Sequence, residues 1–169
     1  MECKINSGIP QGCRGAGGTL RFLIANFDDV ASITEADGEI TAINMDSGTT
    51  FFEFKTTKHS SDFVENYKVS AGSVGFEQVV TMEFSKMEAT KRNQVLLMAQ
   101  ANLIIIVQDK NEKYWYLGAQ EGCQLSNGHA GTGKNLGDEL NGYSLELTAS
   151  ERYPAYEVNK SVIDGLLTP

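Results

Sequence analysis

The chain has 169 residues, 41% hydrophobic and 21% charged, with a net charge of −8 from 14 basic and 22 acidic side chains. That length and balance suit one domain, spanning 1–169, with a core large enough to need no staples, and they exclude an intrinsically disordered chain. The acidic excess argues against gripping duplex DNA through its phosphates, and the apolar runs 95–99 and 103–107 are too short to span a bilayer.

Residues 1–18 carry Gly8, Gly12, Gly15, Gly17 and Gly18 with Pro10, which predicts an irregular arm ordered only where something packs on it. The N-terminus shows no basic start followed by an apolar block, so Cys3, Cys13 and Cys123 read as reduced thiols of a cytosol-made protein. A Cys3–Cys13 disulfide is the alternative. Residues 19–26 are apolar enough for a buried strand. Ile33 and the run 40–43 flank Asp37-Gly38, a hairpin signal, and Ser47-Gly48 marks another turn. The aromatic run 51–54 begins a further strand.

Residues 55–71 are polar, with Phe63 and Tyr67 as isolated aromatics, and predict a long hairpin or an excursion from the core. From 74 to 84 the pattern is again β, with Val80, Met82 and Phe84 on one face. A helix is predicted over 85–100, with Ser85 and Glu88 as a capping box and Val95, Leu96, Met98 and Ala99 as its apolar stripe. Lys91 and Arg92 fall on its solvated side. Residues 103–108 form a short apolar strand expected to be buried on both faces, 109–112 a turn, and 114–117 the return strand. The stretch 118–137 is dense in glycine and reads as loop and short strand. Asn141-Gly142 is a turn signal, and Tyr143, Leu145 and Leu147 alternate with Ser144, Glu146 and Thr148. The tail, 159–169, adds a helical turn through Val162 and Leu166.

Several stretches carry reactive residue types. GHAGTGKN at 128–135 matches a phosphate-binding loop except at its last position, where Asn135 replaces the magnesium-holding hydroxyl, and it lacks a following helix; a turn-forming loop is expected. His59, Ser60, Ser61 and Asp62 hold the residue types of a hydrolase triad, but triads assemble from distant segments, and a polar loop is the expectation. His129 near Cys123 falls short of a four-ligand zinc set. Asp28-Asp29 and the run 109–112 offer oxygens without the calcium-loop pattern, so turn and cap roles are expected. Tyr114, Trp115 and Tyr116 are a stacking platform or, more simply, core plus interface. No catalytic residue, cofactor or metal is assigned.

The run NLIIIVQDKNEKYWYLG at 102–118, followed by Gly131-Thr132-Gly133, Gly137-Asp138, Asn141-Gly142-Tyr143 and Glu151 with Pro154-Ala155, resembles tail structural proteins of tailed bacteriophages of gut bacteria, the crAss-like group included. The β-rich half ending in Ser85-Lys86-Met87, and the helix with Arg92-Asn93, look similar too. The resemblance implies a mainly β, tail-tube-like fold, a sandwich or barrel flanked by one helix. It implies a non-enzymatic, ring-forming subunit of the virion tail, made in the host cytoplasm. Its partners would be copies of itself and other tail or portal-proximal proteins. Double-stranded DNA would pass through without specific binding, and no membrane would be involved. An acidic chain suits such a conduit, because it repels a polyanion. The contact residues expected are Ile5 and Ile9 on the arm, and Thr56, Lys58, His59, Phe63 and Tyr67 on the polar excursion. A standalone sandwich module binding a glycan or protein through the 114–116 aromatics is the alternative, and a hydrolase using His59 or His129 is a third class.

Overall fold

A computed structural model describes residues 4–137 and 140–167. In chain order the strands are β1 (Thr19–Asn26), β2 (Val30–Ala36), β3 (Glu39–Met45), β4 (Phe52–Phe54), β5 (Asp62–Ser70), β6 (Ser73–Ser85), β7 (Leu103–Asp109), β8 (Tyr114–Leu117), β9 (Gln124–Gly131), β10 (Gly142–Glu151) and β11 (Tyr156–Val158). Helix α1 (Ala89–Gln100) joins β6 to β7, and α2 (Lys160–Leu166) follows β11. The strands make two sheets, ordered β2-β3-β11-β8-β7-β1-β4 and β5-β6-β10-β9. Every pairing is antiparallel except β3 with β11.

The larger sheet is covered on both sides, and period-two alternation sorts its side chains. Phe22, Ile24, Ile105 and Val107 join Val80, Met82, Leu145 and Leu147 of the smaller sheet in one cluster. Leu23, Ala25, Ile104 and Ile106 join Ile40, Val158, Ile163 and Leu166 in another, against which Ile33, Ile43 and Met45 of the curled β2–β3 hairpin also pack. This is why 103–107 is an unbroken apolar run: no residue in it faces water. Each such side chain contributes about 1.5–3 kcal/mol by leaving water. The mainly β sandwich with a flanking helix is therefore the observed architecture.

The helix start differs from the expected one. Ser85 is drawn into β6 by its pairing with Gly142, the chain turns at Lys86 (φ 65°), and α1 begins at Ala89. Glu88 is the N-cap residue but makes no side-chain cap; its carboxylate pairs with Lys91 at 2.6 Å instead. Lys91 also donates to the Ser85 carbonyl at 2.6 Å, so it is not simply solvated. The buried edge of α1 is narrow: Met98 is buried and Val95 half-buried, while Leu96 and Ala99 stay exposed. The tail forms a longer helix than one turn. Asn159 Oδ1 accepts from the Ser161 N–H at 3.0 Å, and Ile163 and Leu166 seal the outer cluster.

Candidate functional site

Strands β5 and β6 form a hairpin paired from Asp62↔Thr81 to Ser70↔Ser73, closed by Ala71 and Gly72 with φ of 39° and 86°. Strand β10 follows β6 only as far as Glu151↔Phe76, so the hairpin tip stands beyond its neighbour. On one face lie the cross-strand pairs Phe63↔Val80, Glu65↔Gln78, Tyr67↔Phe76 and Val69↔Val74. Val80 and Gln78 are buried between the sheets. The same face then continues into the open, where Tyr67 is 67%, Val69 75% and Val74 54% exposed. The Tyr67 ring meets Phe76 edge-on at 5.2 Å. The opposite face carries the Lys68–Glu77 ion pair at 2.7 Å, so the tip of the projecting hairpin has an apolar side and a charged side.

A buried polar network fixes the base of this hairpin. Gln78 Oε1 accepts from the Gly118 N–H at 3.1 Å, and Gln78 Nε2 donates to Glu65 Oε2 at 3.3 Å. Glu65 Oε2 also accepts from the Ala155 N–H at 2.7 Å. Glu151, itself 6% exposed, accepts from the N–H groups of Gln120 and Glu121 at 3.1–3.2 Å. These bonds hold the hairpin to the 118–122 loop and to the segment before β11. Burial pushes the Glu151 carboxyl above its ordinary pKa, partly opposed by those N–H donors. The folded protein thus holds this proton more tightly than the unfolded chain does. The resulting stability is complete below the ordinary carboxylate pKa and is lost as pH rises through the raised one. Glu151→Gln removes the titration and leaves one oxygen to accept. Its melting temperature relative to wild type should therefore climb between pH 4 and pH 7. A difference that stays flat in thermal melts at both pH values would contradict this.

The expected contact residues divide into three groups. Ile5 and Ile9 are 97% and 100% exposed on the arm. Thr56, Lys58 and His59 sit in the turn before β5, at the opposite end of the hairpin from its tip. There Ser60 donates to the Thr57 carbonyl at 2.8 Å and Ser61 to Thr56 Oγ1, so these hydroxyls close a turn and do not face His59 as a triad would. Phe63 is half-buried and packs against the inter-sheet core, opposite fully buried Val80. Tyr67 alone joins the apolar tip. Val69, Val74 and Phe76 were not anticipated, although the period-two series 63, 65, 67, 69 leading to Ala71-Gly72 carries the signal.

The other stretches find structural roles. Residues 128–131 of the glycine-rich motif lie in β9, and no helix follows them among the described residues before β10. Tyr114 and Tyr116 are buried and Trp115 is half-buried, so this strand offers no open platform. Burial pushes the Cys123 thiol and the Tyr116 hydroxyl far up, keeping both neutral. No grouping of three or more His, Cys, Asp or Glu side chains able to hold a metal occurs among the described residues. Asp109 Oδ1 accepts from the backbone N–H groups of Asn111 and Lys113, a turn role, and Asp29 Oδ2 accepts from the Asn26 side-chain amide. Cys13 is exposed and free, while Cys3 and Asp138 lie outside the described residues. No helix among the described residues is long and apolar enough to cross a membrane. No protein-family model, curated protein or solved structure matches the chain.

Proposed function

We propose that this chain is a ring-forming structural subunit of a phage tail, whose copies enclose a channel through which double-stranded DNA passes. The observation that carries the reading is the apolar face of the β5–β6 hairpin tip. It continues the core-facing side of the hairpin past the end of its neighbour β10, with Tyr67, Val69 and Val74 left wet. A second copy that covers it continues the core across the subunit boundary, as stable interfaces do. The exposed aliphatics of the arm and the net charge of −8 support the same reading. So does the resemblance of residues 102–118 to tail proteins. An exposed apolar face and an exposed arm at different places on one subunit favour head-to-tail contacts, which close into rings.

Negative-stain electron microscopy and native mass measurement of the concentrated protein, alone and with neighbouring tail proteins, test this. Closed rings are expected. A monomer under all those conditions would overturn the proposal. The second reading, a binding module, rests on an open groove of about 760 Å³ between β3 and α2, edged by the hydroxyls of Thr41, Thr49, Thr50 and Ser161. A monomer with micromolar affinity for a glycan or peptide would favour it.

A further inference from the structure

The short strand β4 is an edge: it pairs with β1 on one side, and no strand lies on its other side among the described residues. Its Phe52 and Phe54 face α1 across a groove made of two adjoining depressions of about 210 and 270 Å³, which share Phe54, Gln94 and Met98. The lips are apolar and wet, with Phe52 60% exposed on the strand and Leu97 58% exposed on the helix. Such an edge lacks one extended chain, whose backbone would pair with β4 and whose alternate side chains would fill the two depressions.

The N-terminal arm has those properties. Residues 4–17 join no strand or helix, and its two large apolar side chains are almost wholly exposed. Ile5 and Ile9 are four residues apart, so in an extended chain they fall on the same face about 13 Å from each other. Extended, residues 4–15 reach about 40 Å, enough to leave one subunit and lie along the next.

The arm is rooted at the β7–β8 turn. Asn111, in the β7–β8 turn, clamps Ala16 by two hydrogen bonds of 2.8 Å, and the Lys110 N–H donates to the Gly18 carbonyl at 3.0 Å. Strand β7 lies on one side of β1 and β4 on the other, so these bonds root the arm on the β7 side of β1. We infer that the β4–α1 groove of each subunit receives the N-terminal arm of a second copy, as an added strand with Ile5 and Ile9 seated between β4 and α1. This deepens the ring reading and rests on it: each subunit gives an arm and takes one.

The test uses two full-length proteins in which Cys3 and Cys13 are replaced by serine. One carries Ile9→Cys and the other Leu97→Cys, and they are mixed and treated with a short bis-maleimide. Only arm-to-groove contact between different molecules joins the thiols introduced at positions 9 and 97. The mixture should therefore give about tenfold or more of the dimer-mass adduct compared with either protein alone. In parallel, Phe52→Ser with Leu97→Ser, checked by circular dichroism for a native fold, should abolish rings just as removal of residues 1–15 does. Rings without the mixed adduct overturn the groove assignment and leave the ring reading standing. So does a Leu97→Cys chain that links instead to a cysteine placed at Val69, the hairpin tip. If a single chain carrying both cysteines links within itself, the arm folds back in cis and the exchange is wrong. If no multimer forms at all, both readings fall together.

Discussion

Replacing Gly142 by alanine should destabilise the fold by about 3 kcal/mol or more and lower the melting temperature by about 10 °C. An added Cβ would stand 1.9 Å from the Phe84 carbonyl oxygen and 2.9 Å from its carbon. Both are backbone atoms, so no side-chain rotation can relieve the clash. The strands also cannot part locally, because Gly142 pairs with Ser85 on one side and Gly131 on the other. The same close approach draws Ser85 out of the predicted capping box, so the variant also perturbs the corner that launches α1. Differential scanning calorimetry checks this, and a melting temperature within about 2 °C of wild type would refute the account.

A second large effect is expected on association and not on folding. Tyr67→Ser combined with Val69→Thr and Val74→Thr keeps β-compatible residues at the two valine sites and removes the apolar tip. Because these positions are more than half exposed in the isolated subunit, its own stability should change by about 1–2 kcal/mol, mostly through the lost Tyr67–Phe76 ring contact. An interface that buries one aromatic and two aliphatic anchors should weaken by about 4 kcal/mol, close to a thousandfold in the dissociation constant. Sedimentation velocity across a concentration series reads the change in association, and chemical denaturation of the monomer reads the change in stability. A variant that assembles like wild type would remove this surface from the interface.

Much of the sheet structure was legible because its signals are local. Residues 19–26 form β1 as expected, Asp37-Gly38 closes the β2–β3 hairpin, and the 103–107 run is buried on both faces. What was not legible depended on partners far along the chain. Ser85 looks like a helix cap until Gly142 claims it for a strand, and pairing across that distance has no trace in a short window. Strand β9 is similar. Its sequence, QLSNGHAG, has poor β propensity and only Leu125 packs against the core, so it owes its conformation to the ladder with β10. The hairpin's apolar tip was legible only in part. Tyr67 stood out as an aromatic among polar residues, whereas Val69 and Val74 became meaningful only once the register placed them opposite one another. Gln78, Glu65 and Glu151 carry no local signal of their network, since nothing in a short window says that a polar side chain will accept from backbone N–H groups.

The parallel pairing of β11 with β3 has a consequence for how the molecule is made. Glu157 meets Glu39, 118 positions earlier in the chain (157 − 39 = 118), and β11 is the strand that stitches the β2–β3 hairpin to β8. Until residues 156–158 have been made, that stitch is missing and the larger sheet exists as two unjoined pieces. Closure therefore comes late and is slow, as for any topology ruled by distant contacts. Nascent copies on one message expose unjoined sheet edges side by side, so early encounters between them are a hazard that chaperoned release would relieve.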